Sequence, residues 1–269
     1  MQNNQVKGLR KLRLEYAAVP VGLIVLWELA AVAQLVDQRF VPAPHRVVQT
    51  LYVWIAGDGA GGAGPYVGTW LTAVGASTMR VMVGFLVAAL AGTALGLLIG
   101  WFRAPRVLFQ PLIDLLRPIP ITAWVPFTVV IFGIKPAASI SLIALGSFFS
   151  IALNATAGAV NTPSVLVSAA RMLGTTEKKI LWKVVFPSAL PSIITGLRVG
   201  LALAWVLVIV SEMVAVKSGL GFSLWDAYYF GRMDVIIAAM VSVGTLGFIS
   251  DKLLMVAAKP VERWAPGLS

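Results

Sequence analysis

Residues 79–101, MRVMVGFLVAALAGTALGLLIGW, are apolar without a charged side chain after Arg80. About 20 apolar residues can cross the roughly 30 Å hydrocarbon layer of a membrane as one helix. Small residues recur at every fourth position in this stretch, at Gly84, Ala88, Gly92, Gly96 and Gly100. On a helix this spacing forms one face, which lets a neighbouring backbone approach closely. The stretch therefore predicts a membrane helix that packs tightly against another helix.

The composition of the whole chain agrees with this prediction. Of its 269 residues, 59% are hydrophobic and only 12% are charged, and the mean hydropathy is +0.89. This is more apolar surface than a single soluble core could hide. Six stretches are long and apolar enough to span a membrane, at 16–36, 79–101, 112–133, 138–160, 193–216 and 235–257. Because the alternation typical of barrel strands is absent, we predict an all-α integral membrane fold with about six transmembrane helices.

The formal net charge is +10, and in a membrane protein the positions of the basic residues predict the topology. In a six-span arrangement, one side of the membrane carries the Lys and Arg residues at 7, 10, 11, 13, 103, 106, 171, 178, 179, 183, 252, 259 and 263. The other side carries those at 39, 46, 135, 217 and 232. We therefore predict a cytoplasmic segment at 1–15, a transmembrane domain at 16–269 and two cytoplasmic termini. Nucleic acid is not an expected partner.

Residues for metal binding or catalysis are scarce. The sequence has no cysteine and one histidine, His45, which we predict to lie on the surface of a short external amphipathic helix. This excludes thiolate metal sites and leaves little for acid-base chemistry, so we predict no metal site and no catalytic residue. The phosphate-binding motif G-x-x-x-x-G-K-[ST] is absent as well. The chain is therefore not expected to bind or hydrolyse ATP.

Two predicted spans contain polar residues that could line a route for a solute. The side-chain amide of Asn154 needs a hydrogen-bond partner or water at mid-membrane. Its role is therefore either a hydrogen bond between helices or a position on the route of the solute. In the fifth span Arg198, Trp205 and Glu212 are seven residues apart and lie near one helix face. An interfacial position suits Arg198, whereas Glu212 should be paired or face water.

The third span is rich in proline, with Pro118, Pro120 and Pro126 around Trp124. A regular helix cannot run through these prolines without losing hydrogen bonds and kinking. Broken backbone at membrane depth is tolerated where it is buried in protein or lines a cavity, so both a structural kink and a translocation route remain open. The candidate pathway residues are Trp124, Asn154, Trp205 and Glu212.

Residues 168–192, SAARMLGTTEKKILWKVVFPSALPS, are polar in a mostly apolar chain. Thr162-Pro163 is typical of the start of a helix. Gly174 is expected to end this first short helix in the left-handed conformation.

A second short helix is predicted to follow, with Thr175 as its cap and Glu177 in its first turn. Pro187 and Pro191 are predicted to stop that helix and return the chain to the membrane. The pattern predicts a small helical knob at about 161–192 that projects into the cytoplasm.

The knob resembles the EAA loop of ABC-importer permeases, which is E-A-A, three residues, G, nine residues and I-x-L-P. The matching positions are Ser168-Ala169-Ala170, Gly174 and Val184-x-Phe186-Pro187. Ser168 stands where the family has Glu, which removes a carboxylate, and Val184 and Phe186 stand where it has Ile and Leu. Further stretches resemble the nitrate, taurine and alkanesulfonate branch, namely FVPAPHRVV, RPIPITAWVPF, FPSALPSIITGLRVGLALAW, SEMVAVKSGLGFSLWDA and VERW. The resemblance begins near residue 40 and covers most of the chain.

This resemblance implies a type I ABC-importer permease in a bacterial inner membrane. The implied partners are a second permease subunit, two ABC ATPase subunits that bind ATP and Mg, an extracytoplasmic solute-binding protein and the membrane lipid. In the family the knob is a coupling helix that sits in a groove on the ATPase. The residues implied in coupling are Ser168, Ala169, Ala170, Arg171, Gly174, Thr175, Glu177, Lys178 and Pro187.

The branch also implies a cargo, a small oxyanion such as nitrate, taurine, a sulfonate or bicarbonate. We expect the solute-binding protein to dock on residues 42–55 and on KSGLGFSLWDAYYF at 217–230. A secondary transporter or channel without an ATPase partner is the alternative, although no inverted repeat supports it. A membrane enzyme would need clustered catalytic groups, whereas Glu28, Asp114 and Glu212 lie in different predicted spans.

Overall fold

The computed structural model describes residues 19–57 and 64–262. The predicted N-terminal segment at 1–15 and the last two residues of VERW lie outside this range. The described residues form helices joined by short connections: α1 (Val19–Val32), α2 (Pro44–Ala56), α3 (Trp70–Trp101), α4 (Arg103–Leu116), α5 (Val125–Phe132), α6 (Pro136–Val160), α7 (Ser164–Met172), α8 (Glu177–Ile180), α9 (Phe186–Ala215), α10 (Leu220–Tyr229) and α11 (Met233–Glu262).

The chain folds into two compact units. Among the described residues, the first unit contains those from 19 to Leu71 together with Ser223–Val241, and the second contains Thr72–Phe222 and those from Ser242 to 262. The first unit holds α1 and α2. The second unit holds α4 to α9 and most of α3, and with them the knob.

The predicted all-α membrane fold is confirmed. Within the described ranges, four helical stretches are long and apolar enough to cross a membrane: α3, α6, the run Glu177–Ala215 and the Met233–Lys259 part of α11. The predicted first span corresponds to α1, which is a shorter apolar helix in the part of the chain that the structure describes. The predicted third span corresponds to two helical pieces, Arg103–Leu116 and Ile121–Phe132, bent by 93°.

The bend lies at the predicted prolines. Helix α4 ends at Leu116, and Pro120 precedes a 3₁₀ turn at Ile121–Trp124 that leads into α5. Pro118 and Pro120 cannot donate backbone hydrogen bonds. Arg117, before Pro118, still has helical backbone, whereas Pro120 has ψ 127° and so leaves the helical conformation. The expected break is confirmed, but residues 112–133 form a sharp corner instead of one kinked span.

The prediction that Pro187 and Pro191 stop the second knob helix was wrong. Helical structure continues from Glu177 to Ala215, with a π-helical turn at Leu181–Val185 followed directly by α9. Pro187 lies just after the π turn, and Pro191 lies inside α9. A π turn inserts an extra residue into the helical ladder, so the chain passes both prolines without leaving the helix.

Helix α6 packs between α3 and α9 in the second unit. A Cβ atom added to Gly96 of α3 would lie 2.4 Å from the Ala152 carbonyl oxygen of α6. On the other side of α6, a Cβ atom at Gly196 of α9 would lie 2.6 Å from the Asn154 Cβ. The glycine face predicted for residues 84–100 is therefore a packing face, and this close contact sets the position of α9 from which the knob extends.

Candidate functional site

The inner side of the knob is anchored in the apolar core of the second unit. Val167 of α7 and Ile180, Leu181 and Val185 at the start of the long helix are buried. They belong to one cluster with side chains of three membrane helices, Leu97, Ala155, Ala159, Ala189 and Ile193. Each large apolar side chain buried in this way stabilises its position by about 1.5–3 kcal/mol. The knob is thus attached firmly to α3, α6 and α9.

Gly174 makes the turn between the two knob helices. Its φ angle is +72°, the left-handed conformation predicted for it, which glycine adopts without steric cost. The Gly174 N–H donates to the Arg171 carbonyl at 2.9 Å, and the Thr175 N–H donates to the Ala170 carbonyl at 3.1 Å. These two bonds are the Schellman arrangement, which satisfies the free carbonyls at the end of α7. Thr175 therefore belongs to the end of α7, and the prediction that it caps the second helix was wrong, because Thr176 is the N-cap of α8.

Arg171 and Glu177 join the two helices across this turn. Arg171 Nε donates to Glu177 Oε1 at 2.8 Å, and Arg171 Nη2 donates to Oε2 at 3.2 Å. The Glu177 carboxylate raises the pKa of Arg171 above its usual value. The Arg171 guanidinium also lies 5.8 Å from the centre of the Trp101 ring at the end of α3, within range of a cation–π interaction.

The outer side of the knob exposes large apolar side chains. Met172 is 88% exposed and Leu173 is 85% exposed at the tip of the turn. Exposed apolar residues grouped in this way are typical of interaction surfaces. Of the predicted coupling residues, Ser168, Ala169, Arg171, Gly174, Glu177 and Lys178 are exposed, whereas Ala170, Thr175 and Pro187 are half-buried.

The buried carboxylate of Glu212 has the pairing expected of it. Arg80 Nη1 donates to Glu212 Oε1 at 2.5 Å, while Ser77 Oγ donates to Oε2 at 2.8 Å. The Gly221 N–H donates to Oε2 at 2.9 Å. Glu212 is fully buried, so in this conformation it faces α3 and protein backbone.

The same network holds the connection between α9 and α10. Arg80 donates to the Ser218 carbonyl at 2.8 Å and to the Ser218 hydroxyl at 2.5 Å, and the Leu220 N–H donates to Ser77 Oγ at 2.9 Å. Gly219 has φ +110°, and a Cβ atom there would lie 2.3 Å from the Glu212 carboxylate. This connection therefore requires a residue without a side chain at 219.

Arg198 and Trp205, which were predicted to lie near the same face of the fifth span as Glu212, contact a different helix. Trp205 Nε1 donates to Ser250 Oγ at 2.8 Å, and Arg198 Nε donates to Asp251 Oδ1 at 2.8 Å, both on α11. A seven-residue spacing drifts by about 20° around a straight helix at each step. The predicted face of α9 therefore contacts two different helices along its length, α11 at Arg198 and Trp205 and α3 at Glu212.

Asn154 and Trp124, the remaining candidate pathway residues, have separate surroundings. Asn154 Nδ2 donates to the Ser150 carbonyl of its own helix at 2.8 Å, and its Cβ packs against Gly196. The indole N–H of Trp124 is buried at the corner before α5 and has no acceptor among the described residues. The four candidate pathway residues thus have different neighbours. That they line one route for the solute stays a prediction.

Sequence reasoning missed several residues of these sites. Met172 and Leu173 were overlooked because an apolar pair in a polar stretch has no periodicity to reveal it. Ser77 and Ser218 were also missed as partners of Glu212, and Arg80 was assigned only to the end of a span. The available signal was the spacing of Ser77 and Arg80, three apart and therefore on one helix face.

Known proteins share this architecture and sequence. Residues 89–259 match the model of the family described as "Binding-protein-dependent transport system inner membrane component". The taurine transport system permease protein TauC of Escherichia coli is 32% identical over 95% of this chain and 90% of its own length. The nitrate import permease protein NrtB of Synechocystis sp. is 31% identical over 86% of this chain and 83% of its own length.

The fold is also found in a solved transporter. A chain of the MetNI methionine ABC transporter, in an inward-facing conformation, matches with a TM-score of 0.57 and 24% identity over 72% of this chain and 94% of that chain. The protein is therefore a multi-pass subunit of an inner-membrane transport system. It belongs to the family of binding-protein-dependent transport system inner membrane components, and the resemblance to ABC-importer permeases is confirmed.

Proposed function

We propose that this chain is the permease subunit of an ATP-driven importer and that its knob couples transport to a partner ATPase. The knob geometry supports the proposal most strongly: apolar anchors bury its inner side among three membrane helices, whereas Met172 and Leu173 project from its outer side. A partner that pushes on the exposed tip would move α9 directly, because α8, the π turn and α9 are one continuous helix.

The proposed assembly contains two copies of this chain, two ABC ATPase subunits and an extracytoplasmic solute-binding protein. ATP and Mg bind to the ATPase subunits. ATP-driven closure of these subunits brings the two knobs together and changes the dimer from inward-facing to outward-facing, which couples two sites through a bistable element. The basic residues near the knob and at both ends of the chain favour a cytoplasmic location for the knob and for both termini.

The proposed cargo is a small oxyanion such as nitrate, taurine or another sulfonate. The taurine permease and the nitrate permease among the relatives support this class. We propose that Trp124 and Asn154 contribute to the route, with Trp205 and Glu212 as further candidates. The unpaired Trp124 N–H, at a corner of broken backbone, supports its inclusion because irregular backbone in membranes is tolerated beside a cavity.

The coupling role is tested by three substitutions of Gly174. No atom lies within 4 Å of a Cβ built there, so only backbone conformation and charge change. Gly174→Asn keeps a residue that tolerates the left-handed conformation, Gly174→Ala adds a backbone cost of about 1 kcal/mol, and Gly174→Asp places a charge near the proposed contact. We expect normal membrane insertion for all three, a small defect for Ala and a still smaller one for Asn.

Gly174→Asp is expected to lose transport and to weaken ATPase association. Because Asp and Asn have nearly the same shape, the difference between them isolates the charge. The measurements are copurification of the ATPase and uptake of radiolabelled taurine and nitrate. Full association together with full transport in Gly174→Asp would show that the knob is not the coupling element.

A further inference from the structure

A basic cavity of about 510 Å³ lies in the first compact unit. It is bordered by α2, by the residues just before it, by residues 64–67 and by the start of α11. Three arginines line it, Arg39, Arg46 and Arg232, together with one carboxylate, Asp234. The topology predicted from charge places this cavity on the outer side of the membrane.

The carboxylate in the cavity is already engaged. Arg232 donates to both oxygens of Asp234, at 2.9 and 2.7 Å, and Thr50 Oγ1 donates to Asp234 Oδ2 at 2.7 Å. None of the ion pairs formed within residues 19–57 and 64–262 involves Arg39 or Arg46. The lining therefore has three guanidinium groups and one carboxylate, and a further carboxylate, that of Asp37, accepts a hydrogen bond from the backbone N–H of Arg39.

The residues of α2 that line the cavity, among them Arg46, Gln49, Thr50 and Val53, lie on a different face of the helix from a group of exposed apolar side chains. Val48, Tyr52 and Ile55 are exposed, and their spacing of four and three residues places them on one helix face. A helix with this pattern beside cationic residues is typical of one lying in the membrane interface. Phe40 and Phe230 are also exposed and lie within two residues of Arg39 and Arg232 in sequence. Exposed apolar side chains therefore lie close to two of the cavity arginines in sequence.

The arginines of the cavity favour a ligand with an anionic group. The exposed Phe40 and Phe230, near two of these arginines in sequence, favour one that also has an apolar portion. Arginine forms strong, directional hydrogen bonds to phosphate oxygens, and a phosphate is the charged group of an anionic phospholipid. We propose that the cavity lined by Arg39, Arg46 and Arg232 binds the phosphate of an anionic phospholipid. This site is separate from the proposed knob, and it holds or fails independently of the proposed coupling role.

The test compares phospholipids bound to the full-length chain, purified in the assembly in which it is extracted. Mixed micelles present phosphatidylglycerol or phosphatidylcholine, and bound lipid is counted by native mass spectrometry. The variant is Arg39→Gln/Arg46→Gln, which removes the two arginines outside ion pairs and leaves the Arg232–Asp234 pair in place. The matched control is Lys135→Gln, which removes an exposed positive charge elsewhere on the predicted outer side.

We expect the wild-type chain and Lys135→Gln to retain phosphatidylglycerol in preference to phosphatidylcholine. The double variant should bind phosphatidylglycerol at least about tenfold more weakly, because it lacks two charged hydrogen-bond donors to the phosphate. Its thermal unfolding midpoint without added lipid should equal that of the control, which would separate lost binding from misfolding.

Other outcomes would overturn the assignment. Equal retention of phosphatidylglycerol by the double variant and the control would exclude the site. Inorganic phosphate binding with the same arginine dependence, and no preference for phosphatidylglycerol, would show a site for a free oxyanion. If the double variant kept its lipid and lost only ATPase stimulation by the solute-binding protein, an acidic group of that protein would be the occupant.

Discussion

At the residue scale, the Arg80–Glu212 pair combines two opposite charges that the protein has almost completely enclosed, with side-chain exposures of 6% and 0%. Enclosing two charges costs free energy, and their attraction offsets it only when the remaining hydrogen bonds are also made. Ser77, Ser218 and Gly221 supply those bonds. The pair therefore positions the connection between α9 and α10. Removal of either residue would leave the charge of the other buried without its counter-ion.

Removal of one partner should be worse than removal of both. Arg80→Met leaves the Glu212 carboxylate buried without its counter-ion, which costs roughly 3–5 kcal/mol in comparable buried pairs. The double variant Arg80→Met/Glu212→Met should recover part of this loss, and Arg80→Lys should be intermediate because it keeps the charge with fewer donors. The measurement is the thermal unfolding midpoint of each purified variant in detergent. Additive effects of the two Met substitutions would contradict the proposed coupling between these residues.

The need for a partner at Glu212 could be predicted from the sequence, but the partner could not. A carboxylate in an apolar span requires an opposite charge or water whatever the fold. Which arginine meets it depends on how α3 packs against α9, and sequence spacing across 132 positions carries no such information. The left-handed Gly174 was predictable because helix termination is a local property.

At the scale of elements, the close contact of α3 with α6 depends on glycine at particular positions. A Cβ atom at Gly96 would meet the Ala152 carbonyl oxygen at 2.4 Å and the Ala155 Cβ at 2.7 Å. Neither atom can rotate away, because one belongs to the backbone and the other is fixed to it. By contrast, no atom lies within 4 Å of a Cβ atom at Gly75 on the same helix.

Gly96→Ala should therefore destabilise the protein, whereas Gly75→Ala should not. Overpacking a tight contact costs typically about 1–3 kcal/mol, while an open helical glycine replaced by alanine costs nothing in contacts and favours the helix. The two unfolding midpoints in detergent check this difference. Equal midpoints for the two variants would show that α3 and α6 do not depend on the predicted glycine face.

Element boundaries were predicted well where hydropathy alone decides them. The fourth span was predicted at 138–160 and is Pro136–Val160. Helix α3 begins at Trp70, nine residues before the predicted start, because Ser77 and Arg80 lower the local hydropathy while their partners on α9 and the following connection satisfy them inside the fold. The 93° corner and the passage of α9 through two prolines depend on tertiary packing and on one π turn, which periodicity does not reveal.

At the scale of the whole molecule, the all-α membrane architecture and the family follow from features spread along the chain. The apolar stretches predict the class of all-α membrane proteins, and the knob motif carries the resemblance to ABC-importer permeases. The division into two compact units could not be predicted from the sequence. It depends on contacts between residues 223–241 and residues before 72, which are distant in sequence. The basic cavity was missed for the same reason, since Arg39 and Arg232 lie far apart in the sequence.

The measurement that tests coupling most directly is photo-cross-linking from single cysteines introduced into the complete transporter. The sequence has no cysteine of its own, so a benzophenone maleimide attaches to this chain only at the introduced position. Leu173→Cys places the probe on the exposed tip of the knob, and Lys217→Cys places it at an exposed position on the predicted opposite side of the membrane. We predict an adduct of one permease with one ATPase subunit from Leu173→Cys and none from Lys217→Cys. An absent ATPase adduct at Leu173→Cys, or equal adducts at both positions, would contradict the coupling role of the knob.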